Sequence, residues 1–338
     1  MTKDTSAFVE RLFMRAFYKK ATDIHFLPSS TYNTVAIYFR IFGDRSFIQR
    51  ISLSFYNRML TYVKFAANMD IGENKRPQNG TLTYSSKQTT YHLRLSTLPV
   101  QRLESLTVRI FPQSIPPPLE QLVLFSFQGE QIRKWLQHRS GILLFTGPTG
   151  SGKSTMMYSL VQELIKTSNR QVITLEEPIE RQIENVLQVE INERAGITYE
   201  EGLRAALRHD PDVLLIGEIR DEHTAKFTIR SSLTGHLVLT TLHAKNIPGT
   251  IERLLDLGIS RTDLSQTIVG IASLRLIPVI VRGEVRRRAA IIELIDGTSL
   301  RKLIEGKTLP KSCYYTFTQL KEKAWCYGFI DQKVLSET

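Results

Sequence analysis

The chain has 338 residues, 42% hydrophobic and 23% charged, the profile of a globular protein of about two domains. No apolar run approaches the roughly 18 residues a membrane span needs. Two cysteines, Cys313 and Cys326, are too few for an all-cysteine zinc site or a disulfide scaffold. The formal charge is +11 and uneven: residues 1–112 hold 16 Lys and Arg against 7 Asp and Glu, while residues 113–338 hold 28 against 26. A basic N-terminal part suits nucleic acid, an acidic lipid surface, the phosphates of a nucleotide, or solubility alone.

Phe8, Leu12, Phe13 and Ala16 form an apolar stripe that predicts a helix over 6–20. A strand pattern follows at 35–39, a second helix pattern at 54–68, and further strand patterns at 80–84, 90–97 and 104–111, together an α+β domain. His25 stands alone and reads as a packed core residue. Pro116, Pro117 and Pro118 fix φ and remove donors, which favours an extended spacer. The expected organisation is therefore an N-terminal domain over 1–111, a linker over 112–118 and a second domain over 119–338.

The second domain opens on a strand pattern at 142–146, followed by Gly147, Pro148, Thr149, Gly150, Ser151, Gly152, Lys153, Ser154 and Thr155. This is the phosphate-loop spacing of Gly, four residues, then Gly-Lys-Ser. Met156, Leu160, Val161 and Leu164 recur at helical spacing just after it, so the loop joins a buried strand to a helix. Glycines let the backbone wrap an anion, and the helix N-terminus presents free N–H groups to it. Lys153 has the reach for the β- and γ-phosphates of ATP, and the Ser154 hydroxyl is placed to hold Mg²⁺. Further strand patterns lie at 171–175, 213–217 and 237–242, with helical patterns between them, one opened by a capping box at Thr198 and Glu201. Such alternation predicts a mainly parallel sheet with helices on both faces and a ligand at the C-terminal strand ends. Glu176 and Glu218 end two of these strands, where a carboxylate holds Mg²⁺ through water or polarises the attacking water. Glu177, Glu180 and Asp221 fit equally well as charges at helix N-termini. His236 and His243 flank one strand, and either suits a γ-phosphate contact or a structural hydrogen bond.

These segments resemble the four signature boxes of the secretion ATPase superfamily that powers type II secretion and type IV pili. They are the phosphate loop, an acidic box at Glu176, a Walker B segment with Gly217 in place of aspartate ahead of Glu218, and a histidine box from His236 to His243. Leu207, Arg208, His209, Asp210, Pro211 and Asp212, followed by Gly217, Glu218, Ile219, Arg220 and Asp221, carry the resemblance most specifically. Lys75 to Gly80, Leu93 to Pro99 and Val108 to Ile110 extend it into the N-terminal part. The short N-terminus and the missing tetracysteine insert are similar to the competence-pilus branch of the family.

The resemblance implies a RecA-like P-loop NTPase domain preceded by a smaller, PAS-like α+β domain. It implies an ATPase motor working as a homo-hexamer with ATP and Mg²⁺. The ring acts from the cytoplasm on a polytopic membrane platform protein, which adds pilin-like subunits to a competence pilus for DNA uptake; direct nucleic-acid binding is not expected. It assigns water activation to Glu176, Mg²⁺ support to Ser154 and Glu218, and γ-phosphate contact to Arg94 and Arg109 of the N-terminal domain. The acidic box departs from the family pattern in having Glu177 where Asp is usual, and the neighbouring segments depart at Thr81 and His209. Alternatives are a motor for a type II secretion pseudopilus or for pilus retraction, the latter suggested by residues 299–306, and a RecA-like ATPase that binds DNA directly. An ABC-type transporter ATPase is excluded, because its Leu-Ser-Gly-Gly-Gln signature is missing.

Overall fold

The computed structural model describes residues 2–85, 89–101, 103–113, 115–192, 196–281, 284–310 and 312–336. Ser114 of the proline-rich linker lies outside the described residues. The chain divides into two compact units, residues 1–115 and 116–338.

The first unit begins with helix α1 (Thr2–Tyr18), followed by β1 (Asp23–Ser29), β2 (Thr34–Ile41), β3 (Asp44–Ser52) and helix α2 (Leu53–Ala66). It ends with β4 (Gln78–Ser85), β5 (Thr90–Val100) and β6 (Leu103–Pro112). The six strands form one antiparallel sheet in the order β3-β2-β1-β6-β5-β4. Alternation sorts its faces: Val35, Ile37 and Phe39 of β2 are fully buried, while Ala36, Tyr38 and Arg40 point the other way. The apolar face packs on Val9, Leu12, Phe13 and Ala16 of α1 and on Tyr56, Met59 and Val63 of α2. Ser52 caps α2 by accepting the Phe55 N–H. His25 is not in this core. It shares the outer face with Asp23, half-buried, with Nδ1 3.4 Å from Thr107 Oγ1. Burial lowers its pKa; Asp23 opposes the shift, and Arg40, Arg45 and Arg109 reinforce it.

The second unit starts with α3 (Leu119–Leu122), α4 (Ser126–Leu136), β7 (Gly141–Thr146), α5 (Lys153–Thr167), β8 (Val172–Glu176) and β9 (Leu187–Glu190). Next come α6 (Tyr199–Leu207), β10 (Val213–Ile219), α7 (Glu222–Leu233), β11 (Leu237–Leu242), α8 (Ile247–Asp256) and α9 (Arg261–Thr267). A long hairpin of β12 (Ile268–Val281) and β13 (Glu284–Asp296) precedes α10 (Gly297–Ile304), α11 (Phe317–Cys326) and α12 (Gln332–Ser336). The sheet order is β13-β12-β7-β11-β10-β8-β9, parallel throughout except for the β12·β13 pair.

Both faces of this sheet are covered, so its central strands read as continuous apolar runs rather than alternating ones. Leu143 and Phe145 of β7 pack with Met156, Leu160 and Val161 of α5. Ile142 and Leu144 point to the opposite face, with Leu203 of α6, Ile229 of α7 and Ile251 of α8. Each fully buried side chain of this size contributes about 1.5–3 kcal/mol. The packing fixes the strand ends from which the functional loops leave.

Candidate functional site

The loop between β7 and α5 is shaped by close backbone approach. Gly147 has φ +146°, and a Cβ there would lie 2.6 Å from the Leu274 carbonyl oxygen of β12 and 2.6 Å from Ser151 Oγ. No other residue fits that position. Gly152 caps α5 in the left-handed region with no side-chain cap, so the first N–H groups of the helix are left for a ligand. Ser151 Oγ is buried and has no hydrogen-bond partner among the described residues. Lys153, 8% exposed, donates to the Gly147 carbonyl at 2.8 Å and the Pro148 carbonyl at 3.1 Å. Burial lowers its pKa, while the charges of Glu218 and Glu180 pull it back up. Ser154 is exposed in the first turn of α5 and Thr155 half-buried; Pro148, Thr149 and Gly150 form the exposed rim. A buried hydroxyl without a partner, an ammonium folded onto loop carbonyls and a cradle closed to any Cβ together fit a polyphosphate.

The loops after β8, β10 and β11 leave from the same end of the sheet as this one, as the parallel register requires. The two predicted carboxylates differ sharply there. Glu176 is 6% exposed. Its carboxylate accepts from Tyr158 Oη, from Thr174 Oγ1 at 2.7 Å and from Gln188 Nε2 at 3.1 Å. Tyr158 in turn accepts the backbone N–H groups of Glu180 and Arg181, so Glu176 ties the acidic box to α5. Glu218 is more open and sits at a break in the β10·β11 register. Its carboxylate accepts from Arg220 Nε, and His243 Nε2 lies 3.4 Å from the other oxygen. Burial pushes the Glu218 carboxyl up, but Arg220 and His243 outweigh it and hold the carboxyl below its usual range.

Gly217 explains the unusual Walker B segment. A Cβ there would meet the Leu175 carbonyl oxygen at 3.3 Å and Glu176 Cα at 3.6 Å, and Thr241 Oγ1 donates to the Gly217 carbonyl at 2.8 Å. An aspartate at 217 would crowd the neighbouring strand.

Two residues to which the sequence assigns no role, Arg220 and Tyr199, complete this end of the sheet. Arg220 donates to both Glu218 and, at 2.5 Å, Glu177 Oε2, so the departure from Asp to the longer Glu177 joins the acidic box to the Walker B segment. Tyr199 lies beside them, its phenol pushed up to about 12 by burial and by Glu177. Of the charges read as helix N-terminal, Asp221 is one: it caps α7 by accepting the Thr224 N–H at 2.8 Å.

The histidines separate. His243 follows β11 and meets Glu218, whereas His236 precedes β11. His236 Nδ1 hydrogen-bonds Thr234 Oγ1 at 2.9 Å and the Ser231 carbonyl at 3.2 Å, and its own carbonyl accepts from Gly141 at the start of β7. A six-residue strand spans roughly 20 Å. Within the protomer His236 therefore belongs to the end of the sheet opposite the phosphate loop.

Arg94 and Arg109 are direct cross-strand partners on the outer face of the first unit's sheet. Arg94 lies over the Phe111 ring at 4.7 Å, and Arg109 Nε donates to Asp23 Oδ1 at 2.9 Å.

The sequence matches the type II/IV secretion system protein family over residues 3–309. The chain belongs to that family. It is 40% identical to the competence protein ComGA of Bacillus subtilis (strain 168), over 95% of this chain and 94% of that one. It is 38% identical to the competence protein ComGA of Halalkalibacterium halodurans, over 96% and 95%. The crystal structure of the pilus retraction motor PilT with bound ADP superposes with a TM-score of 0.70 at 27% identity, over 96% of this chain and 95% of that one. A chain of this family is an ATPase.

Proposed function

We propose that this type II/IV secretion ATPase works as a homo-hexameric motor that assembles a type IV-like pilus for DNA uptake. The observation that carries the reading is the near full-length similarity to the two competence proteins, over 94% or more of each chain. ATP is the substrate. The helix α5 N-terminus and Lys153 bind its phosphates, and the cradle at Gly147 and Ser151 shapes the loop around them. Ser154 and Glu218 are the residues that would hold a Mg²⁺, directly or through water, and the ion would neutralise charge on the phosphates. Arg94 and Arg109 close the γ-phosphate when the ring assembles. The motor acts from the cytoplasm on a polytopic membrane platform protein and, through it, on pilin-like subunits. Among the described residues no helix is long and apolar enough to cross a membrane. A pilus-retraction or type II secretion motor is the second reading, favoured by the likeness to PilT.

Within the site, packing favours Glu218 over Glu176 for polarising the attacking water. A carboxylate already holding three donors has little capacity left for a water, whereas Glu218 carries the charge that acts on Lys153. Glu218→Gln should keep ATP binding, lose about 10²–10⁴ in turnover and alter the Mg²⁺ dependence. Glu176→Gln should cost far less turnover and show as a lower melting temperature, since it loosens the acidic box. Paired Mg²⁺ titrations and melting curves decide this. If Glu176→Gln is the more damaging change at an unaltered melting temperature, water activation belongs to Glu176.

The cellular reading is tested in a naturally competent host. Deleting the gene should abolish uptake of external DNA while recombination of DNA already inside continues, and a plasmid-borne copy should restore uptake. Wild-type transformation in the deletion strain would exclude the competence role and promote the secretion reading.

A further inference from the structure

The outer face of the first unit's sheet carries an unusual row. Cross-strand pairing places Arg45 opposite Arg40, Arg40 opposite Asp23, Asp23 opposite Arg109 and Arg109 opposite Arg94. Neighbouring strands lie about 4.8 Å apart. Four guanidiniums thus stand in one line across five strands, with one carboxylate among them. Like charges directly opposite one another destabilise a sheet, so such a row persists only where something offsets it.

Asp23 supplies the offset. It is 6% exposed, whereas Arg40 and Arg109 on either side are 42% and 57% exposed. Oδ1 accepts from Arg109 Nε at 2.9 Å, and Oδ2 accepts from Thr22 Oγ1 at 2.8 Å with Arg40 Nε 3.9 Å away. Bonding at Nε fixes the course of the Arg109 side chain and leaves its terminal nitrogens, the pair that grips a phosphate, out of the ion pair. Arg40, on the other side of Asp23, also donates from Nη1 to the Gly43 carbonyl at 2.7 Å, so the carboxylate and the β2–β3 turn together hold its guanidinium in the row.

We propose that Asp23 is the positioning residue of this row. It holds Arg109 beside Arg94 and brings Arg40 in as a further guanidinium, so that the face grips a polyphosphate rather than a single anion. The proposal rests on the reading that Arg94 and Arg109 serve ATP turnover, and adds the residue that sets their geometry and a further cation.

The test is a double-mutant cycle on the full-length protein under assembling conditions. Asp23→Asn keeps the shape and removes the charge. It should lower kcat roughly 10–100-fold, the cost of misplacing a reacting-centre contact, and leave KM for ATP within about twofold. In the Arg109→Ala background the same change should cost much less, because only the hold on Arg40 is left to lose. Arg40→Gln should lower kcat less than Arg109→Ala does. An equal cost of Asp23→Asn in both backgrounds means that it acts on the fold, and overturns the proposal. So does wild-type kcat in Asp23→Asn when Arg109→Ala is inactive. Normal turnover in Arg109→Ala fails the underlying reading instead, and the proposal with it. Should Asp23→Asn melt early, Asp23→Glu carries the test: it keeps the charge but displaces Arg109 by a methylene, and wild-type kcat in that variant overturns the proposal.

Discussion

Lys153→Ala should reduce ATP hydrolysis to background and abolish the cellular function, with the fold intact. The ammonium is buried against the Gly147 and Pro148 carbonyls, which are loop atoms rather than core, so its removal costs little packing. It is also the cation of the phosphate loop that lies in the field of Glu218 and Glu180. Removing a single preorganised donor from a transition state costs roughly 10²–10³ in rate, and a full charge in a buried site costs at least as much. Melting curves of the purified variant should match the wild type while turnover is lost. Substantial turnover in a folded Lys153→Ala protein would mean that the loop does not hold the reacting phosphates.

The second large effect is expected at Arg94 and Arg109. Charge moves onto the γ-phosphoryl oxygens as the bond to the leaving group breaks, and a cation must meet it. Lys153 supplies one cation from the loop side only, and Arg220, the arginine bonded to Glu218, is held by Glu218 and Glu177. The arginines of the first unit are the remaining source in this proposal, and fingers of this kind contribute about 10³–10⁵ in rate. Arg94→Ala and Arg109→Ala should each bind ATP normally and lose most turnover. Nucleotide binding followed by fluorescence, alongside steady-state hydrolysis, separates the two effects. Loss of binding in parallel with turnover would place the arginines in ground-state binding instead.

Much of the second unit was legible because its signals are local. The phosphate loop has a fixed spacing, and strands buried on both faces, such as β7, β10 and β11, are built on short continuous apolar runs. The parts that escaped depend on contacts distant in sequence. β3 is mostly polar and exposed at a sheet edge, so it carries no periodic signal. The β12·β13 hairpin is recognisable only once β12 is seen beside β7. The state of Glu176 is set by Tyr158 and Gln188, 18 and 12 residues away, which no motif encodes. The arginine row needs the strand order of the whole sheet, because Arg40 and Arg109 are neighbours of neighbours only after β1 and β6 pair. His236 is different: a six-residue strand between it and His243 already implied opposite ends.

In the proposed mechanism, hydrolysis by this phosphate loop is completed by assembly. The most direct measurement is specific ATPase activity across a dilution series, with oligomeric state followed on the same samples by light scattering. Turnover per chain should rise steeply as the ring forms, and the Arg94→Ala and Arg109→Ala proteins should assemble without that rise. A specific activity that stays flat from monomer to fully assembled protein would contradict the account.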